Sequence, residues 1–127
     1  MPPDYPLQRF YSLSTEVFRK VYGFDGDYIC HLHESLEQQG FVNVQGKAFR
    51  VPIGDWPRCP RMRTIGGYFR EILMSSMTAM AARPFVEFGM EKTEIEELVN
   101  SVKDCLREGE VHAYIVIQFV WAQKPDA

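Results

Sequence analysis

The alternation of apolar and polar positions divides the chain into six regular segments. From Leu7 to about Tyr22, apolar residues fall at Leu7, Phe10, Tyr11, Val17, Phe18 and Val21, close to helical spacing. Pro2, Pro3 and Pro6 form an extended lead-in, and Gly23 ends the helix ahead of a turn over Phe24–Gly26. A second helix is expected over roughly Asp27–Gln39, with Ile29, Leu32 and Leu36 on one side. Gly40 stands where a left-handed C-cap belongs, since glycine carries no side-chain penalty there. Phe41–Val51 follows as a strand in which Val42 and Val44 alternate with Asn43 and Gln45, the pattern of a half-exposed edge. Gly46 is expected to mark a bulge or bend within it.

Pro52–Pro60 (PIGDWPRCP) holds three prolines, one glycine and Trp56, and reads as a shaped loop. A long helical pattern then runs from about Arg61 to Ala82. Its apolar stripe is Met62, Ile65, Phe69, Ile72, Leu73, Ser76, Met77 and Met80, weakened early by Gly66–Gly67 and ended by Arg83–Pro84. Thr93 and Glu96 have the spacing of a capping box. The helix they open reaches about Glu108, with Ile95, Leu98, Val99, Val102 and Leu106 inward and Gly109 closing it.

The last segment, Val111–Trp121, is a strand apolar on both faces: Tyr114, Val116, Gln118 and Val120 on one, Ile115, Ile117, Phe119 and Trp121 on the other. Such a strand belongs in the middle of a sheet covered on both sides. Only one other strand is legible, and two strands alone make a marginal sheet. The expected fold is therefore α+β: about four helices and two antiparallel strands in a single domain over residues 1–127. One flank of the last strand has no partner from its own chain. Completion by dimerisation or by a partner follows as an expectation.

Composition narrows this further. With 127 residues, 46% apolar and 24% charged, the chain matches an ordinary globular domain long enough to bury a core. A net charge of −3 and a pI near 5.6 make no electrostatic case for nucleic acid or an anionic membrane surface. Cys30, Cys59 and Cys105 are an odd set without short paired spacing, the usage of free thiols in a reducing compartment. The start, MPPDYPLQRF, has neither the basic end nor the apolar run of a signal peptide. No apolar run nears the roughly 20 residues of a membrane span. The expected location is cytoplasmic.

Several clusters carry possible chemistry. Cys30, His33, Glu34 and Glu37 can share a helical face, but no second ligand pair stands at site spacing, so a polar helix flank with a Glu–His contact is expected and no metal. Arg58, Arg61, Arg63 and Arg70 suit an anion, yet charge balance with Glu87, Glu91, Glu94, Glu96 and Glu97 is the simpler account. Met74, Met77, Met80 and Met90, with Tyr68 and Phe69, suit either an apolar pocket or plain core, core being the commoner use. His112 and Tyr114 offer an imidazole and a phenol at the start of the last strand. The chain has no G-x-G-x-x-G loop after a strand, no P-loop, no nucleophile elbow and no paired-cysteine zinc motif.

The order of motifs resembles the C-terminal part of a fungal LaeA-like class I methyltransferase. It consists of Glu37–Val44 (EQQGFVNV), Val51–Pro57 (VPIGDWP), Arg61–Gly66 (RMRTIG), Phe88–Gly89, Thr93–Val99 (TEIEELV), His112-Ala113-Tyr114 and Gln123-Lys124-Pro125. Ala122-Gln123 stands where that family usually shows a glycine before the terminal basic residue and proline. The resemblance implies that Phe41–Val51 and Val111–Trp121 are the sixth and seventh strands of the parent fold, the seventh inserted antiparallel between the fifth and sixth. Strands one to five, with the S-adenosylmethionine site, would lie ahead of Met1, leaving no cofactor site in this chain. The Arg61–Glu108 excursion corresponds to the region that covers the acceptor.

Three readings stay open on sequence grounds. One is the substrate-side portion of a methyltransferase of fungal secondary metabolism, binding a small apolar metabolite such as a polyketide. Another is a homodimeric, cofactor-free cyclase or isomerase, with His112 and Tyr114 catalytic and Trp56, Tyr68, Phe69 and Met77 as substrate walls. The last is a non-catalytic module that pairs with an intact methyltransferase.

Overall fold

The computed structural model describes residues 4–109 and 112–126. Pro2 and Pro3 of the lead-in and Val111 of the last strand lie outside the described residues. The element order is α1 (Pro6–Tyr22), a 3-10 helix (Gly26–His31), α2 (Leu32–Gln38), β1 (Val42–Ile53), α3 (Pro60–Phe88), α4 (Lys92–Glu108) and β2 (Ala113–Gln123). The expected α+β class, with four α-helices and two antiparallel strands, is what forms.

The chain divides into two compact units. The first takes in the chain up to Asp25 together with Val51–Ile115, and its frame is α1, α3 and α4 packed on one another. Each helix buries the stripe its spacing dictates. Leu7, Phe10 and Val17 come from α1, Met77, Ala81 and Phe85 from α3, and Ile95, Leu98, Val99, Val102 and Leu106 from α4. Phe10 and Phe85 meet with ring centroids 5.6 Å apart, joining α1 to α3 at the centre. Ile53 and Ala113, one from each strand, complete this core.

Helix α3 departs from its sequence pattern in two ways. Pro84 was expected to end the helix, but α3 continues to Phe88 with Pro84 inside it. Proline removes one backbone donor and costs about 3 kcal/mol in a helix interior. Here its ring is buried between the fully buried Ala81 and Phe85, so packing offsets that cost. The expected single apolar stripe is also two surfaces. Met77 is buried and Phe69 and Leu73 pack on the core, whereas Ile65, Ile72 and Met80 are exposed.

Helix α4 starts two residues earlier than expected, with Glu91 rather than Thr93 at the cap and Lys92 as its first residue. The capping box is formed by Glu91 and Glu94 rather than by Thr93 and Glu96, with the Glu91 N–H donating to Glu94 Oε2 at 3.2 Å. The cap position needs extended backbone, and Glu91 has it (φ −71°, ψ 143°) while Thr93 already lies inside the helix.

The second unit takes in Gly26–Arg50 and the chain from Val116. The segment read as one helix over Asp27–Gln39 opens as a 3-10 helix and becomes α-helical only at Leu32. Its end follows the expectation: Gly40 has φ +90°, its N–H reaches the Glu37 carbonyl, and the Phe41 N–H reaches the Leu36 carbonyl. The antiparallel ribbon here is fixed by Asn43 Nδ2 donating to Gln123 Oε1 at 2.8 Å and by an edge-to-face contact of Phe49 with Phe119. The strand runs on through Gly46, and the left-handed residue falls at Asn43 instead (φ +52°). Asparagine is among the few side chains that tolerate that region.

Candidate functional site

The chemistry-bearing residues gather where β1 runs into the Gly54–Cys59 loop and where β2 begins, all within the first unit. Gly54 turns the loop with φ +106°, a conformation that a side chain would strain. Asp55 then pairs with Arg70 of α3 at 3.1 Å, and Arg63 Nε donates to the Pro57 carbonyl at 3.2 Å. These contacts tie the loop to α3 and set Trp56 against the start of β2.

There Trp56 stacks on His112, with ring centroids 4.9 Å apart and planes 11° from parallel. Its indole N–H donates to the carbonyl of Ala113 at 3.1 Å. One side chain thus meets both the imidazole and the backbone of the next residue, 57 positions along the chain. His112 is exposed, Trp56 is half-buried, and Tyr114 is half exposed two residues further along β2.

The other predicted wall residues are on α3. Tyr68 is 71% exposed, Phe69 packs on the core, and Met77 has no accessible surface at all. Met74 and Met90 also pack on the core. The structure therefore brings Trp56 and His112 together, with Tyr114 two residues further along β2, while Phe69 and Met77 pack into the helical core. The Trp56–His112 contact itself was not legible beforehand. Both residues carried candidate roles, but nothing in local spacing links a loop tryptophan to a distant strand end.

Beside Trp56, a depression lined by Ile53, Gly54, Asp55, Cys105, Leu106 and Gly109 measures about 10 Å³, room for about one water. At the N-terminal cap of α3, the exposed Cys59 thiol is held below its ordinary range by hydrogen bonds from the backbone of Met62 and Arg61. Cys105 is buried, and that burial pushes its thiol up. His33 Nε2 lies 3.3 Å from Glu37 Oε1, the helix-flank contact read from sequence. Among the described residues, no three His, Cys, Asp or Glu side chains stand together as metal ligands. Nor is any described helix long and apolar enough to cross a membrane.

No protein-family model matches the chain, and no solved structure does. Curated relatives do. Methyltransferase pytC of Aspergillus terreus is 25% identical over 126 residues, a match covering 98% of this chain and 39% of pytC. Secondary metabolism regulator LAE1 of Cochliobolus heterostrophus is 25% identical over 127 residues, with 98% of this chain and 41% of LAE1 covered. Secondary metabolism regulator laeA of Aspergillus niger is 23% identical over 113 residues, 88% of this chain and 29% of that protein. The chain thus spans well under half the length of the relatives it matches. Along nearly its whole length the chain is similar to the C-terminal portion of a fungal methyltransferase and of LaeA-type secondary-metabolism regulators, the group its motif order resembles.

Proposed function

We propose that this chain is a methyltransferase-like module of fungal secondary metabolism. In this reading it meets a small apolar acceptor of polyketide type, and the S-adenosylmethionine site is supplied from outside its 127 residues. Its similarity to a methyltransferase and to secondary-metabolism regulators supports the general assignment. The absence of a glycine-rich cofactor loop from this sequence supports the division of labour.

One observation carries the proposal. Strand β2 is apolar on both faces, yet Tyr114, Val116, Phe119 and Trp121 stay between 48% and 54% exposed. Burying such side chains contributes about 1.5–3 kcal/mol each, so a strand like this is stable between other strands and costly at an open edge. The sheet is then completed by a further part of a longer polypeptide, by a methyltransferase-like partner chain, or by a second copy. Within the completed module, His112 and Tyr114 are the polar groups at the acceptor, Trp56 and Tyr68 stand at its side, and Phe69 and Met77 support it from the core. The depression beside Trp56 is too small for a metabolite. A cofactor-free cyclase working at His112 would therefore need a larger cavity at that place, built jointly with another chain.

Light scattering after size exclusion, with calorimetric titration of S-adenosylmethionine on the same sample, tests this reading. The expected result is a chain that self-associates or aggregates and takes up no S-adenosylmethionine. A stable monomer that binds the cofactor tightly would overturn it.

A further inference from the structure

We propose that Trp56 acts as a positioning residue for His112. This rests on the reading above, in which His112 is a polar group at the acceptor. Two contacts from one side chain carry the argument. The near-parallel stack, 4.9 Å between centroids and 11° between planes, covers one face of the imidazole and sets its plane. The indole N–H, donated to the Ala113 carbonyl at 3.1 Å, fixes the backbone immediately after His112, so the side chain and its point of attachment are held together.

Trp56 itself is held from behind. Its loop turns at Gly54 (φ +106°), and the neighbouring Asp55 is paired to Arg70, whose side chain as a whole is 22% exposed. His112 covers one face of the tryptophan ring. A ligand at this end of the sheet therefore meets an exposed imidazole whose plane is set by the stack. Holding a reacting or hydrogen-bonding group in one orientation is the kind of preorganisation that supports acid–base work.

The test is proton NMR of the three histidines in the full 127-residue chain, with His112 assigned by loss of its signals in His112→Gln. Stacking places the imidazole protons over an aromatic ring, so the His112 ring signals are expected upfield of free imidazole. Trp56→Phe keeps an aromatic face and should retain the shift in part, while Trp56→Leu should abolish it. Far-UV circular dichroism checks that both variants keep their helices. Ring signals of His112 at free-imidazole positions in the unaltered chain would overturn the proposal without any variant being needed. So would an unchanged shift in folded Trp56→Leu. These readouts need no turnover, so they are separable from the proposed function. If His112→Gln left methyl transfer by a reconstituted assembly unchanged, the acid–base role would fall while the clamp stood.

Discussion

The backbone N–H of Gly54 donates to the carbonyl of Gly66 at 2.9 Å, joining the loop after β1 to the first turns of α3. A Cβ placed on Gly66 would collide with the Gly54 carbonyl oxygen and lie 3.1 Å from Pro52 Cγ. In the sequence, Gly66–Gly67 reads only as a weak spot in a helix. In the fold, Gly66 is where loop and helix backbones touch, and this contact helps set the loop that carries Trp56.

The two adjacent glycines should therefore respond in opposite directions. Gly66→Ala forces backbone to move and is expected to destabilise by about 1–3 kcal/mol, the range for overpacking. At Gly67 an added methyl meets nothing within 4 Å, and alanine there should stabilise the helix by about 0.5–1 kcal/mol. Urea denaturation of both variants checks this, and equal effects would discount the close approach.

Met77 and Tyr68 were candidate walls of one pocket, yet their exposures are 0% and 71%. Met77→Ala is expected to cost about 2–5 kcal/mol through lost contacts and a cavity. Tyr68→Ala should stay within about 0.5 kcal/mol, so any effect of Tyr68 on acceptor binding can be read without a folding defect. A large loss of stability at Tyr68 would contradict its exposure.

Thiol chemistry should separate Cys59 from Cys105. The Cys59 pKa is lowered by backbone hydrogen bonds and its side chain is exposed, so at pH 7 more of it is thiolate than an ordinary cysteine offers. Burial raises the Cys105 pKa and also blocks access. Alkylation by iodoacetamide followed by peptide mass spectrometry is expected to label Cys59 well before Cys105. Raising the pH should increase the Cys59 rate until its thiolate is fully formed, at a lower pH than for an unperturbed thiol. Faster labelling of Cys105 in the native chain would contradict the packing of α4.

The start of α4 offers a local check. Glu94→Ala removes the carboxylate that accepts the Glu91 N–H and is expected to cost about 0.3–1.5 kcal/mol. Thr93→Ala, one residue into the helix and exposed, should stay within about 0.5 kcal/mol. The reverse order in thermal melts would restore the box at Thr93 and Glu96.

Much of the fold was legible where the information is local. The inward face of α4 appears in the sequence for every residue but Cys105, because Ile95, Leu98, Val99, Val102 and Leu106 recur at the period of the helix itself. Gly23, Gly40 and Gly109 mark helix ends for a similarly short-range reason: each takes a positive φ that other residues resist. The doubly apolar β2 likewise announced a strand that its own chain does not cover, and the structure leaves it half exposed.

What needed the tertiary structure has a shared cause, since each feature depends on residues far apart in the chain. Proline at position 84 breaks helices by local rule, and the helix survives because that turn is buried among its neighbours. Glycine at position 66 looks like a flaw until Gly54 is brought against it. Trp56 and His112 are unrelated in spacing, and only the pairing of the two strands, with the loop tied to α3 through Asp55 and Arg70, lays one ring on the other. Periodicity and capping are short-range and are written in the order of residues. Contacts across the core arise from the simultaneous burial of several elements, which no single stretch of sequence encodes.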